Sequence, residues 1–212
     1  MNIKELILNP DRFFRDLSNK EPSLTTPFII IFILSVLDAI YTCVYFYYFF
    51  LTSAGFDLCS SDILVILTVS LIFIILVAFL SISIGWLLAA GIMYLISKLF
   101  KGKGSFKRTM EFTGYGYFPT IIGVLISILV SYYFFSNNQV LTPEVADKIY
   151  TFITPIGIVT TLWTLGLWTY GIKYAMNLDL KKAFVVALLL VVLLFIIYML
   201  IFIVYILIQS LF

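Results

Sequence analysis

Five long apolar runs constrain this chain more than anything else in it. A helix needs about 20 residues to cross a hydrocarbon core of roughly 30 Å. Runs of that length extend from Phe28 to about Thr52, within Ile63 to Phe100, from about Phe112 to Phe135, from about Ile149 to Tyr174 and from about Ala183 to Ile208. The second exceeds one perpendicular crossing, so it is expected to tilt or to project outward at its start. Of 212 residues, 63% are apolar and 11% charged, against about a quarter charged in a soluble domain. Lipid must be the solvent for most of the chain. The expected fold is all-α: a polytopic membrane protein with five transmembrane helices and a short N-terminal interfacial helix.

The cations set the orientation. Twelve of thirteen basic residues fall in three hydrophilic gaps: Lys4, Arg12, Arg15 and Lys20; Lys98, Lys101, Lys103, Lys107 and Arg108; Lys173, Lys181 and Lys182. The alternate gaps hold Lys148 alone. Insertion retains basic loops in the cytoplasm, which predicts the N-terminus inside and the C-terminus outside. Aromatic clusters mark the opposite interface independently. Tyr45, Phe46, Tyr47, Tyr48, Phe49 and Phe50 close the first run, Tyr132 to Phe135 close the third, and Tyr150 and Phe152 open the fourth.

Residues 1–27 read as a cytoplasmic segment and 28–212 as the five-span membrane domain. The first 27 residues mix charges with Pro10, Pro22 and Pro27, unlike a cleavable signal. Asn9, Pro10 and Asp11 have the chemistry of a helix start. Phe13, Phe14 and Leu17 then share one face, which suits a helix lying on the membrane surface; a soluble cap packed on the loops is the other reading. Thr142, Pro143 and Glu144 repeat the start signal outside. Pro155 is expected to bend the fourth span.

Small residues mark where membrane helices approach closely. Ser81, Gly85 and Ala89 recur at every fourth position of the second run, Gly123, Ser127 and Ser131 on the third, and Ser35, Ala39 and Cys43 on the first. The fourth offers Gly157, Thr161, Gly166 and Gly171. The fifth has no glycine within it and is expected at the periphery, facing lipid or a partner chain.

Three stretches are candidate sites. Asp38 lies about ten residues into the first span, roughly 15 Å deep, where an unpaired carboxylate is unfavourable. Ser81, Ser83, Ser127, Thr160, Thr161 and Thr164 match its depth. The group is a candidate intramembrane polar site, serving either a proton or cation relay or a hydrogen-bonded acid that fixes packing. Lys98, Lys101, Lys103, Lys107 and Arg108 are candidates for lipid headgroups, or carry the topology signal alone. Thr113 to Pro119, with two glycines and a proline at a span entrance, either exposes backbone to a ligand or turns the chain into the membrane.

Several functions are disfavoured. The chain has no histidine and two cysteines, Cys43 and Cys59, in no metal or redox spacing. No cofactor is expected. No phosphate loop or nucleophile elbow is present, so no enzyme is expected. Dispersed cations without a reading motif argue against nucleic acid.

Asn9-Pro10-Asp11-Arg12-Phe13-Phe14, then Gly114-Tyr115-Gly116-Tyr117-Phe118-Pro119, then Trp163 to Lys173 followed by Lys182-Ala183 resemble the Yip1 domain family in its short prokaryotic form, with an archaeal-type chain expected. The five-span count with opposed ends is also similar to that family. Gly114, Tyr115, Gly116, Tyr117 and Pro119 correspond to its glycine-tyrosine-proline element, for which the resemblance implies no catalytic role. Eukaryotic members are trafficking proteins that bind Rab-type GTPases and one another. The short segment before the first span makes GTPase binding an unlooked-for partner here. The expected partners are the lipid bilayer and other membrane proteins or a second copy. The expected function is a non-catalytic membrane module that organises partners or bilayer shape. The alternative is a small transporter or channel using Asp38 and the mid-membrane Thr and Ser residues.

Overall fold

The computed structural model describes residues 3–54, 61–137 and 142–209; Cys59 and the side chains of residues 47–54, Tyr47 to Phe50 among them, and 61–67 lie outside that description. The described residues form helices and no strand: α1 (Ile3–Leu8), α2 (Pro10–Ser18), α3 (Thr25–Ala54), α4 (Ser61–Leu99), α5 (Phe106–Tyr115), α6 (Phe118–Asn137), α7 (Pro143–Met176) and α8 (Leu180–Gln209). Five stretches are long and apolar enough to cross a membrane: Thr25–Phe46, Thr68–Leu99, Phe106–Asn137, Pro143–Met176 and Leu180–Ile208. The all-α, five-span expectation holds.

Side-chain caps explain four of the helix starts. The first N–H groups of a helix lack backbone partners, and an oxygen one position upstream can accept from them. Asn9 Oδ1 accepts from Arg12 N–H at 3.2 Å, with Pro10 at the first helical position. Ser105 Oγ accepts from Arg108 N–H at 3.3 Å to open α5. Thr142 Oγ1 accepts from Val145 N–H at 3.3 Å to open α7, and Asp179 Oδ1 from Lys182 N–H at 2.9 Å to open α8. Two helices end through a left-handed residue. Lys101 has φ 63° and Asn177 φ 51°, and beyond each a backbone N–H reaches back five residues: Gly102 to Ser97 O at 2.9 Å, and Leu178 to Lys173 O at 3.0 Å. This is the Schellman arrangement, usually built on glycine.

The chain divides into two compact units. One comprises Met1–Ser23, Leu88–Thr113 and Leu165–Phe212; the other comprises Leu24–Leu87 and Gly114–Thr164. α4 and α7 contribute a segment to each. The N-terminal segment is thus part of the first unit rather than a unit of its own.

Within the second unit α3 packs on α6, and small residues line the buried side of both. Ser35 and Ala39 are buried on α3, as are Gly123, Ser127 and Ser131 on α6. Gly123 admits α7 closely, since a Cβ there would lie 2.9 Å from Thr160 Cγ2. The second-run stripe behaves differently. Ser81 and Gly85 are exposed, and a Cβ on Gly85 would meet nothing within 4 Å. They are not contact residues in the described chain; Ala89, in the first unit, is buried. A small residue permits approach but does not require it, and here the neighbour lies elsewhere. α8 is buried along Ala183, Val186, Ala187 and Leu190, then exposed on every side from Phe195 to Phe202 except at Met199. That matches the expected peripheral fifth span. Pro155 is accommodated inside an uninterrupted α7.

Candidate functional site

The first unit brings together the three basic gaps that are far apart in sequence. Its centre is an ion pair hidden from solvent. Arg108 Nη1 donates to Glu111 Oε2 at 2.7 Å, and the two side chains are 11% and 1% exposed. The guanidinium also donates to the carbonyls of Leu17 (3.2 Å), Ser18 (3.5 Å) and Lys20. These oxygens come from the last turn of α2 and the chain just after it, where carbonyls lack helical partners. Glu111 in turn accepts the Ser23 N–H at 3.2 Å. One arginine and one glutamate thereby fasten residues 17–23 to α5. The planar fork of arginine suits this multiple donation; an ammonium would not span it.

Aromatic packing completes the same face. Phe14 is fully buried, with its ring centroid 5.1 Å from that of Phe112, and Phe13 meets Phe14 edge-on at 5.2 Å. Arg108 lies 5.3 Å over the Phe112 ring, a favourable cation–π position. Gly171 on α7 leaves room for this stack, because a Cβ there would lie 3.2 Å from Phe112 Cβ. The phenylalanine face of α2 is therefore turned into protein, and the packed cap describes it better than a face immersed in lipid. Burial here follows from the partners that α5 and α7 supply.

A second ion pair ties α2 to α7. Lys173 Nζ lies 2.5 Å from Asp11 Oδ1, and Tyr174 Oη donates to the same oxygen at 3.0 Å. The lysine hydrogen bond holds the Asp11 carboxyl below its ordinary value of 3.8, against a smaller opposing effect of burial. The loop after α4 docks on the end of α7 through backbone: Lys103 N–H donates to Met176 O at 2.9 Å. Gly104 makes that approach possible, since a Cβ there would fall 1.7 Å from Ala175 O.

The five candidate headgroup ligands separate on this geometry. Lys101, Lys103 and Lys107 are exposed and available. Lys98 donates to the carbonyls of Gly102 and Gly104, each at 3.2 Å, and stands 5.2 Å over Tyr94. Arg108 is a correction: it is buried, and its two terminal nitrogens are taken up by Glu111 and backbone carbonyls, so it is not presented to a headgroup. Glu111 was not singled out from sequence, although Arg108 and Glu111 stand at the i, i+3 spacing that favours pairing on a helix.

The Gly114 to Pro119 stretch makes a turn. α5 stops at Tyr115 and α6 starts at Phe118. Tyr117 N–H donates to Gly114 O at 3.2 Å instead of reaching the Thr113 carbonyl. The Trp168 indole takes up that freed carbonyl at 3.0 Å. Gly114 is needed for space: a Cβ would lie 2.5 Å from Pro27 Cβ and 3.2 Å from Trp86 Nε1. Tyr115, Gly116 and Pro119 are buried and Tyr117 half-buried.

The Asp38 group does not form one lined site. Asp38 is half-buried on α3, with no ion pair or side-chain hydrogen bond among the described residues. The hydroxyls near its depth bond to their own helices: Ser81 to Val77 O, Ser127 to Gly123 O at 2.9 Å, and Thr160 to Ile156 O at 3.0 Å. Ser81 and Thr161 are exposed. Only Ser83 and Thr164 keep buried hydroxyls without a partner. No cluster of three or more His, Cys, Asp or Glu that could hold a metal occurs among the described residues.

Comparison with known proteins agrees with this architecture. The Yip1 domain profile matches residues 4–203. An uncharacterised protein of the archaeon Methanocaldococcus jannaschii is 42% identical over 139 residues, which is 66% of this chain and 94% of the relative. No solved structure matches.

Proposed function

This chain belongs to the Yip1 domain family, and on that footing we propose that it is a non-catalytic integral membrane module that organises neighbouring membrane proteins or bilayer shape. It runs no reaction of its own and needs no cofactor. In this reading it sits in the cell membrane with its N-terminus in the cytoplasm and its C-terminus outside. Twelve of the thirteen cations lie in three alternate gaps between the apolar runs and Lys148 alone in the others, which favours that orientation.

The observation that carries the reading is the architecture of the first unit. Arg108, Glu111, Asp11 and Lys173 fasten residues distant in sequence into one protein-built face, at the ends of helices that cross the membrane. Such a face suits a scaffold. A small transporter or channel is the competing reading, favoured by the unpaired Asp38. Against it, the Ser127 and Thr160 hydroxyls, matched to Asp38 by depth, back-bond to their own helices rather than line a path.

Proteoliposomes enclosing a pH-sensitive dye separate the two. Under an imposed proton or sodium gradient, wild type and Asp38→Asn should both match protein-free vesicles, and the variant should assemble normally. Robust flux that disappears in Asp38→Asn would overturn the scaffold reading.

A further inference from the structure

We propose that a groove between the end of α7 and the start of α8 seats one anionic phospholipid, with its phosphate on Lys181 and its first chain carbons against Tyr170, Leu180 and Phe184. The groove holds about 330 Å³ and lies wholly within the first unit. Gly166, Thr169 and Tyr170 form one wall at i, i+3 and i+4, which places them on one helix face. Leu180, Lys181 and Phe184 form the other. The groove is open beside Gly166, where a Cβ would meet nothing within 4 Å. The Thr169 hydroxyl already donates to Leu165 O at 2.8 Å, so that wall offers apolar contact rather than a competing donor.

Charge selects the occupant. Three lysines lie at this end of α7 and α8. Lys173 is paired with Asp11 at 2.5 Å and Lys182 with Asp179 at 3.2 Å. Lys181, at the groove, has an exposed side chain with no carboxylate partner among the described residues. Asp179 is the nearest acid in sequence, and its charge is already matched by the Lys182 ammonium and N–H. Lys181 stands one residue into a helix of 30 residues that is otherwise apolar nearly throughout, where its ammonium reaches the headgroup level. From Gly166 to Tyr170 the wall rises about 6 Å. That height suits a headgroup with its first carbons, not a whole acyl chain. A ligand presenting an anion above an apolar stem at the membrane boundary is a phospholipid. The site is distinct from the Asp38 region and from the loop after α4, and does not depend on the scaffold reading.

Native mass spectrometry of the full chain in detergent tests the site, titrating phosphatidylglycerol against phosphatidylcholine of the same chains. Wild type should bind one phosphatidylglycerol in preference. Lys181→Gln should lower that occupancy about fivefold, the effect of one near-surface lysine, and lower phosphatidylcholine less, because its choline offsets the charge of the same phosphate. Gly166→Leu fills the groove at a position with open space and better helix propensity; it should reduce retention of both lipids with the fold intact by circular dichroism. Lys182→Gln should change neither. A wild type without preference would overturn the site. So would equal losses from Lys181→Gln and Lys182→Gln, which would mean diffuse surface charge.

Discussion

Arg108→Ala should release the N-terminal segment while leaving the membrane helices in place. Arg108 is the donor on which three carbonyls and one carboxylate converge, and its partner Glu111 is 1% exposed. Removing one member of a buried pair typically costs about 3–5 kcal/mol. Glu111 can relieve part of that by taking up a proton, so the lower figure, about 3 kcal/mol, applies. That corresponds to opening of residues 3–23 roughly a hundredfold more often. Hydrogen exchange of the full chain in nanodiscs, read on N-terminal peptides, measures it directly. Glu111→Gln keeps an acceptor for Ser23 N–H and should cost only about 1–2 kcal/mol. The double variant Arg108→Ala/Glu111→Ala should cost less than the sum of its single changes, since neither charge is then left buried. Exchange of residues 3–23 within twofold of wild type in Arg108→Ala would show that Arg108 does not hold the segment.

Three further outcomes follow from other contacts. Asp11 has a lowered pKa in the folded chain, so its contribution is complete above the ordinary carboxylate value and lost as pH falls through the folded one. Protection of α2 should be flat from neutral pH down to about 5 and then fall, by at most about 1 kcal/mol for so exposed a pair; Asp11→Asn should abolish the step. Lys101→Gly should raise the thermal stability of α4's end by about 1 kcal/mol, because it removes the strain of a side chain at φ 63°. Gly104→Ala should cost about 2 kcal/mol or more, since its Cβ would fall 1.7 Å from Ala175 O, whereas Gly85→Ala, with open space around it, should be close to neutral in the same melting assay.

Hydropathy was enough for the five spans because lipid leaves a long apolar run little choice but a helix. Caps at Asn9 and Thr142 were equally legible, being local chemistry within three residues. Ser105 and Asp179 carry the same signal, obscured by the charges beside them. Partner choice was not legible. The stripe at Ser81 and Gly85 reads like the one at Gly123 and Ser127, yet only the latter faces a helix, because spacing fixes a face and not what lies opposite it. The N-terminal phenylalanines share this ambiguity: an amphipathic face can meet lipid or protein, and Phe112 with Gly171 decides for protein. Five basic residues between Lys98 and Arg108 look alike in sequence. The acid three residues on, Glu111, separates the buried member from the exposed ones.

We propose an odd number of crossings with the cations gathered on the inner side. Site-specific labels at the two chain ends in intact cells, treated with a membrane-impermeant reagent, test it most directly. Reaction is expected at the C-terminal label alone, with the N-terminal label reacting only after the membrane is permeabilised. Reaction of both ends, or of neither, before permeabilisation would contradict it.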